Sequence, residues 1–283
     1  MNKNYNFYLV SDSTGETLDR IFLALKAQFP NNNFKIHHFA FMRTTTQTAT
    51  LINACKKSEN PVILYTLVEK QTTNHIINEC KAYNIPCFGL LDYLIPQFEK
   101  IFQQKATLKP SGQHELNKEY YRKIEAMQFT LQHDDGQRLE TAVDADIIIL
   151  GVSRTSKTPT SIYLGERGYK VSNIPLVPHQ NLSKDIFASQ AIKVGLTIDP
   201  NRLSDVRKTR MTILNDKTSS TYADVNTIQQ EINEAKKMFI KWSAINTFMF
   251  MINKIPTIDV TRKSVEETAA SIIKIYEIEK EKN

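Results

Sequence analysis

Short apolar runs alternate along this chain with longer stretches in which apolar residues recur every three or four positions, so the hydrophobic period switches repeatedly between strand and helix. Residues 5–10, Tyr-Asn-Phe-Tyr-Leu-Val, make a run of strand length, and Leu18, Ile21, Phe22, Leu25 and Phe29 then fall on one helical stripe. Phe34–Phe41, Pro61–Leu67 and Pro86–Leu91 are further strand candidates, separated by helical stretches at Thr46–Lys57 and Thr72–Tyr83. This alternation predicts a Rossmann-like, mostly parallel α/β sheet over residues 1–105. From Gln103 to Gln113 the pattern gives way to Lys, Gln, Pro, Ser and Gly, the composition of an exposed connection.

A helix is expected at Glu115–Gln132, ended by the turn His133-Asp134-Asp135-Gly136, so that residues 106–140 read as a helical connection. A second alternation follows over 141–283. It has strands at Asp146–Leu150, Tyr169–Val177, Ala191–Thr197 and Thr257–Val260, and helices at Pro159–Arg167, Pro200–Met211 and Val225–Phe239. Ile228, Ile232 and Phe239 should face inward on the last of these, and Ser264 with Glu267 forms a capping box that opens a C-terminal helix. The expected architecture is therefore α/β, an N-terminal parallel-sheet domain followed by a P-loop-like α/β domain.

Composition narrows the class without choosing a function. Hydrophobic residues make up 41% and charged residues 23%, ordinary globular values, and no apolar run approaches the ~20 residues of a membrane span. The nearest is Phe248–Ile252. The N-terminus lacks a long apolar signal core, and Cys55, Cys80 and Cys87 lack paired metal or redox spacing, so a reducing cytoplasm is the expectation. A net charge of +6 is spread along the chain, and nucleic acid is not expected as a partner.

The sharpest chemical feature is the strand Asp146–Leu150 running into Gly151, Val152, Ser153, Arg154, Thr155, Ser156, Lys157 and Thr158. The spacing is that of a phosphate loop, with Ser156 in place of its second glycine. A serine there cannot enter positive φ as cheaply as glycine. Pro159 should bias Thr158 away from helical angles, making Thr158 the N-cap and Pro159 the first helical residue. Free amides at the helix N-terminus, Lys157 and the two-pronged donor Arg154 would together hold phosphate; the plain alternative is a capped turn with solvated basic residues.

Ser11-Asp12-Ser13-Thr14-Gly15-Glu16 lies beyond another strand, with capping-box spacing between Ser13 and Glu16. It is either a cap or a second site for a phosphate or target hydroxyl, with Asp12 as base or Mg²⁺ ligand. Asp199 follows a strand containing Gly195 and is either a base or metal ligand, or part of an Asp-Pro turn. Arg202, Arg207, Lys208 and Arg210 make the next helix basic, suited to a phosphorylated surface or a nucleotide, or simply solvated. His114 and His133 stay unassigned.

Five motifs in order, Asp12-Ser-Thr-Gly-Glu16, His133-Asp-Asp-Gly136, Gly151-Val-Ser-Arg-Thr-Ser-Lys-Thr-Pro159, Gly195-Leu-Thr-Ile-Asp-Pro200 and Ile258-Asp-Val-Thr261 with Ser264-Val-Glu-Glu-Thr268, resemble the bacterial pyruvate, phosphate dikinase regulatory proteins. The resemblance covers nearly the whole chain. It implies two activities: ADP-dependent phosphorylation of an active-site threonine that inactivates the dikinase, and phosphate-dependent removal of that group with release of pyrophosphate. It places the nucleotide on Gly151 to Thr158 and makes the dikinase the protein partner. Lys157, Asp12 and Asp199 are the expected catalytic residues, with ADP and inorganic phosphate as small-molecule substrates. Phosphoenolpyruvate synthase as the target, a non-catalytic nucleotide sensor, a Mg²⁺ requirement and a homodimer are left open by the sequence. The stretch Ile240–Ile255 departs from the resemblance in being longer and more apolar than the family connection.

Overall fold

The structure is a computed structural model that describes residues 3–112, 118–177, 182–214, 221–245 and 255–281. The chain forms two compact units, 1–115 and 116–283. His114, the start of the helix expected at Glu115, and Phe248–Ile252 lie outside the described residues.

The first unit contains β1 (Asn4–Ser11), α1 (Glu16–Ala27), β2 (Asn33–Phe39), α2 (Thr45–Lys56), β3 (Pro61–Thr66), α3 (Lys70–Ala82), β4 (Cys87–Gly89) and α4 (Leu94–Phe102). Its four strands are parallel in the order β2-β1-β3-β4. Because successive strand residues point to opposite faces, Tyr8 and Val10 join Leu51, Ile52 and Ile76 in one core, while Leu9 joins Leu18, Phe22 and Leu64 in another. The expected stripe of α1 is only half buried: Leu25 and Phe29 are exposed, and Phe29 lies beyond the helix end. The second core is small, closed by Phe7, Phe22 and Phe34 with ring centroids 4.8–5.9 Å apart, and two turns of α1 suffice to cover it.

Nor does α1 carry the expected capping box. Its N-cap is Gly15 at φ 89°, with no side-chain cap, and the Glu16 carboxylate accepts from Arg20 instead. A true capping box sits at α2, where Thr44 and Gln47 exchange hydrogen bonds.

The second unit contains α5 (Lys118–Gln132), two 3₁₀ turns (Asp134–Gly136 and Leu139–Asp144), β5 (Ile147–Gly151), α6 (Lys157–Gly165), β6 (Val171–Pro175), α7 (Lys184–Ala188), β7 (Ile192–Thr197), α8 (Pro200–Leu214), α9 (Val225–Ile245), β8 (Thr257–Asp259) and α10 (Val265–Glu281). Its strands are also all parallel, in the order β6-β5-β7-β8. Ile147, Ile148, Ile149 and Leu150 of β5 are fully buried, as an inner strand covered on both faces requires. At about 1.5–3 kcal/mol for each buried aliphatic side chain, this strand anchors the unit. Ile228, Ile232 and Phe239 of α9 point inward as their spacing predicts, and Trp242 of the apolar extension is buried too, stacked on Phe187 at 4.2 Å. The α/β architecture with two parallel sheets is the one that the hydrophobic pattern predicts.

Gly195 on β7 illustrates how tightly α9 packs: a Cβ there would lie 2.7 Å from the Phe239 ring. Gly195→Ala is expected to lower stability by about 1–3 kcal/mol through overpacking, with Phe239→Leu in the same chain recovering part of the loss. Urea unfolding checks this, and an unchanged midpoint for Gly195→Ala contradicts the packing.

Candidate active site

In each sheet the chain reverses its direction of strand addition beside its first strand, between β1 and β3 in one and between β5 and β7 in the other. Open parallel sheets bind ligands outside the carboxyl ends of the strands at such points. The 151–158 loop leaves β5 at one of them. Gly151 is required there for space: a Cβ would lie 2.9 Å from the Leu196 carbonyl oxygen and 3.0 Å from Thr155 Oγ1. Thr155 is fully buried, and its hydroxyl donates to the Val152 carbonyl at 3.0 Å, folding the loop back on the strand.

Arg154 and Ser156 both take left-handed angles, φ 73° and φ 58°. Serine at the second glycine position therefore does not prevent the turn, although each such non-glycine residue costs about 1–3 kcal/mol. Alternation of right- and left-handed residues makes a backbone concavity suited to anions. Ser156, not Thr158, is the N-cap of α6, which begins at Lys157. Pro159 is accommodated in the first helical turn, where a missing N–H removes no helical bond. Thr158 does other work: its hydroxyl donates to Asp134 Oδ1 at 3.1 Å and accepts from Asn173 Nδ2 at 3.0 Å.

The charges around the loop are balanced from within the unit. Lys157 is buried with its ammonium donating to the Val152 carbonyl at 2.9 Å. Burial pulls its pKa down to about 8, against the opposing pull of Asp135 and Asp134, while Arg154 and Arg207 push it lower. Arg207 is not a solvated member of a basic face as are Arg202, Lys208 and Arg210. It is 1% exposed, pairs with Glu231 at 2.6 Å and donates to the carbonyls of Tyr222 and Ser153. Its guanidinium also lies over the Tyr222 ring, 4.6 Å from the centroid. Arg207 therefore braces the loop from behind.

Asp199 is exposed and accepts from the Arg202 amide at 3.0 Å, the N-cap geometry of the Asp-Pro turn, and its own amide donates to Thr261 Oγ1. Asp12 belongs to the first unit. It is buried at the end of β1, accepts from the Val68 amide at 2.9 Å, and burial holds its carboxyl above the ordinary range. His133 is buried between the Phe129 carbonyl and Thr141 Oγ1, a structural placement. Around Lys157 the structure thus gathers the loop, Asp134, Asp135 and Arg207. The two acidic residues fall within the His133–Gly136 motif but carry only a turn signal in the sequence, and Arg207 carries no local signal that separates it from its exposed neighbours.

Fold and loop together define a parallel α/β protein with an anion-suited turn between an inner strand and a helix N-terminus. The chain belongs to the kinase/pyrophosphorylase family, whose model matches residues 7–273. It is 52% identical over 282 residues, 99% of both chains, to a protein of Pelagibacter ubique named "Putative pyruvate, phosphate dikinase regulatory protein". Proteins of the same name from Paramagnetospirillum magneticum and Erythrobacter litoralis are 38% and 37% identical, over 99% and 97% of this chain and 86% and 95% of their own. Among the described residues no helix is long and apolar enough to cross a membrane.

An anion seated on the loop draws Lys157 back toward its ordinary, protonated state. Binding of such an anion is therefore expected to take up protons between pH 8 and 9, and to weaken as pH rises through that window. Calorimetry in buffers of different ionisation enthalpy measures this; the same uptake in Lys157→Ala contradicts the assignment. Glu231→Ala leaves Arg207 buried without its carboxylate and is expected to cost about 3 kcal/mol in chemical unfolding, whereas a loss below about 0.5 kcal/mol removes the brace from the account.

Proposed function

We propose that this chain phosphorylates an active-site threonine of pyruvate, phosphate dikinase with ADP as donor and removes the group with inorganic phosphate. The observation that carries the reading is the 151–158 turn, with Lys157 held at the N-terminus of α6 on the carboxyl edge of β5. Membership of the kinase/pyrophosphorylase family and the names of the relatives support the reaction class and the dikinase as target.

Phosphoryl transfer asks mainly for positioning and charge neutralisation. The loop amides and the N-terminal end of α6, worth about half a positive charge, hold the diphosphate, and the Lys157 ammonium moves from the Val152 carbonyl onto the transferring group. Arg154 grips a second phosphate oxygen. In the forward direction the threonine oxygen attacks the β-phosphorus of ADP, the bond to the bridging oxygen breaks and AMP leaves, while an aspartate accepts the hydroxyl proton. Asp199, past the carboxyl end of β7 in the same unit as the loop, is the candidate for that base. In the reverse direction a phosphate oxygen attacks the phosphothreonine phosphorus and pyrophosphate departs, leaving the threonine hydroxyl. Thr158 and Asp134, hydrogen-bonded to each other, would supply oxygen ligands to a Mg²⁺ bound with the nucleotide, and the ion would neutralise charge there.

Transfer of label from β-³²P-ADP to the dikinase tests the reading. Label is expected on a threonine, reduced at least ~100-fold by Lys157→Ala, and released as pyrophosphate when phosphate is added. ADP binding without any transfer of label identifies a nucleotide sensor instead.

A further inference from the structure

Tyr222, from outside the 151–158 loop, reaches two of its side chains. It lies just before α9 and is held by its next two residues: Ser204 Oγ donates to the Ala223 carbonyl at 2.6 Å, and Asp224 accepts from the Thr227 amide at 2.8 Å. Arg207 ties the tyrosine to the loop. Its guanidinium donates to the Tyr222 carbonyl at 2.9 Å and to the Ser153 carbonyl at 3.3 Å while lying over the Tyr222 ring. The spacing of the two segments is therefore set without the phenol hydroxyl.

That hydroxyl is hydrogen-bonded to the side chains of Ser153 and Arg154, in the middle of the turn. A guanidinium can only donate, so the phenol oxygen accepts from Arg154, and with the serine hydroxyl donating to the same oxygen the phenol's own proton is left for a third group. Burial by itself would raise the pKa of Tyr222. The bonds from Ser153 and Arg154 and the charges of Arg207 and Arg154 outweigh it and hold the phenol below the ordinary tyrosine value, as befits an oxygen that accepts from both neighbours. Arg154 is incompletely matched as well, for its Nε is buried without a hydrogen-bond partner. A buried donor with no acceptor is uncommon and marks either strain or a missing ligand. The phenol O–H and the Arg154 Nε–H thus stand in one hydrogen-bonded cluster on the loop, and among the described residues neither has an acceptor.

We propose that Tyr222 is a phosphate-binding residue of the loop, its hydroxyl donating to an oxygen of the seated anion beside Arg154. The proposal rests on the reading of the loop as an anion site and deepens it, because recognition then includes a residue from outside the local motif. A phosphate group suits the cluster: its charged oxygens accept from the phenol, from Arg154 and from loop amides at the same time. Through Arg207, and through Glu231 paired with it, a seated phosphate is tied to α8 and α9. A tyrosine serving only as a strut would need its hydroxyl for Ser153 and Arg154 alone, and anion affinity would follow stability.

The test is calorimetric titration of the full chain with pyrophosphate and with ADP, in the parent and in Tyr222→Phe. Phenylalanine keeps the ring against Arg207 and both carbonyl bonds, so the urea midpoint is expected to stay near the parent's. Affinity for both anions is expected to fall by about tenfold, the loss of one hydrogen bond to a charged group. Ultraviolet difference spectra of the parent against Tyr222→Phe follow this one phenol, and its titration is expected to move to higher pH when pyrophosphate is bound, because an anion beside it opposes ionisation. Affinity equal to the parent's, or affinity that falls only in step with stability, overturns the proposal. Tighter binding in Tyr222→Phe overturns it too, by making the hydroxyl an occupant that the anion must displace. If neither anion binds the parent, the proposal falls together with the reading of the loop, whereas ADP bound with the expected dependence on Tyr222 but without transfer of label removes the kinase reading alone.

Discussion

At Gly151 the inner strand of the second sheet passes so close to its neighbour that no side chain fits between the backbone and the Leu196 carbonyl. From this close approach the rest of the loop follows. Thr155 tucks beneath Val152, two non-glycine residues turn left-handed, and α6 starts with its first amides at the carboxyl edge of the sheet. The strain in the turn is offset by packing that the hydrophobic pattern had already secured, four fully buried aliphatic residues in β5. A rigid strand thus holds a strained turn, and the turn presents the charged groups.

Those charges are arranged so that a cation is kept in reserve. Lys157 is buried against a carbonyl rather than paired directly with a carboxylate, with Asp134 and Asp135 near enough to favour its charged form and Arg154 and Arg207 opposing them. An ammonium held this way is costly to desolvate and gains when an anion arrives. Arg207 is held differently, locked by Glu231 and by backbone carbonyls, which suits a structural brace rather than a group that moves.

Much of this was legible in the sequence. The alternation of periods gave both parallel sheets, since each buried strand is short, β-branched or aromatic, and bounded by turn residues. The turn from β5 into α6 was legible because its signal is local. What escaped was tertiary. Nothing in the spacing of α8 distinguishes Arg207 from Arg202, Lys208 or Arg210, because burial is decided by where Glu231 and Tyr222 fall on the partner segment. Asp134 read as turn chemistry, and only the fold brings it to Thr158. The N-cap of α6 was misplaced by two residues because the angles of Ser156 are imposed by the close strand approach, which overrides its own preference. Leu25 and Phe29 misled in the opposite sense, for a periodic stripe shows that a face is apolar but not how much core exists to receive it. The five-residue α7 carried too few periods to be read at all.

The central claim is that the turn from β5 into α6 seats the phosphates and that Lys157 leaves the Val152 carbonyl to meet them. A crystal structure of the chain grown with ADP tests it most directly. The account predicts the β-phosphate among the amides of residues 153–158, with Lys157 Nζ within hydrogen-bonding distance of a phosphate oxygen and no longer of Val152. ADP bound elsewhere, or bound at the loop with Lys157 still on that carbonyl, contradicts it.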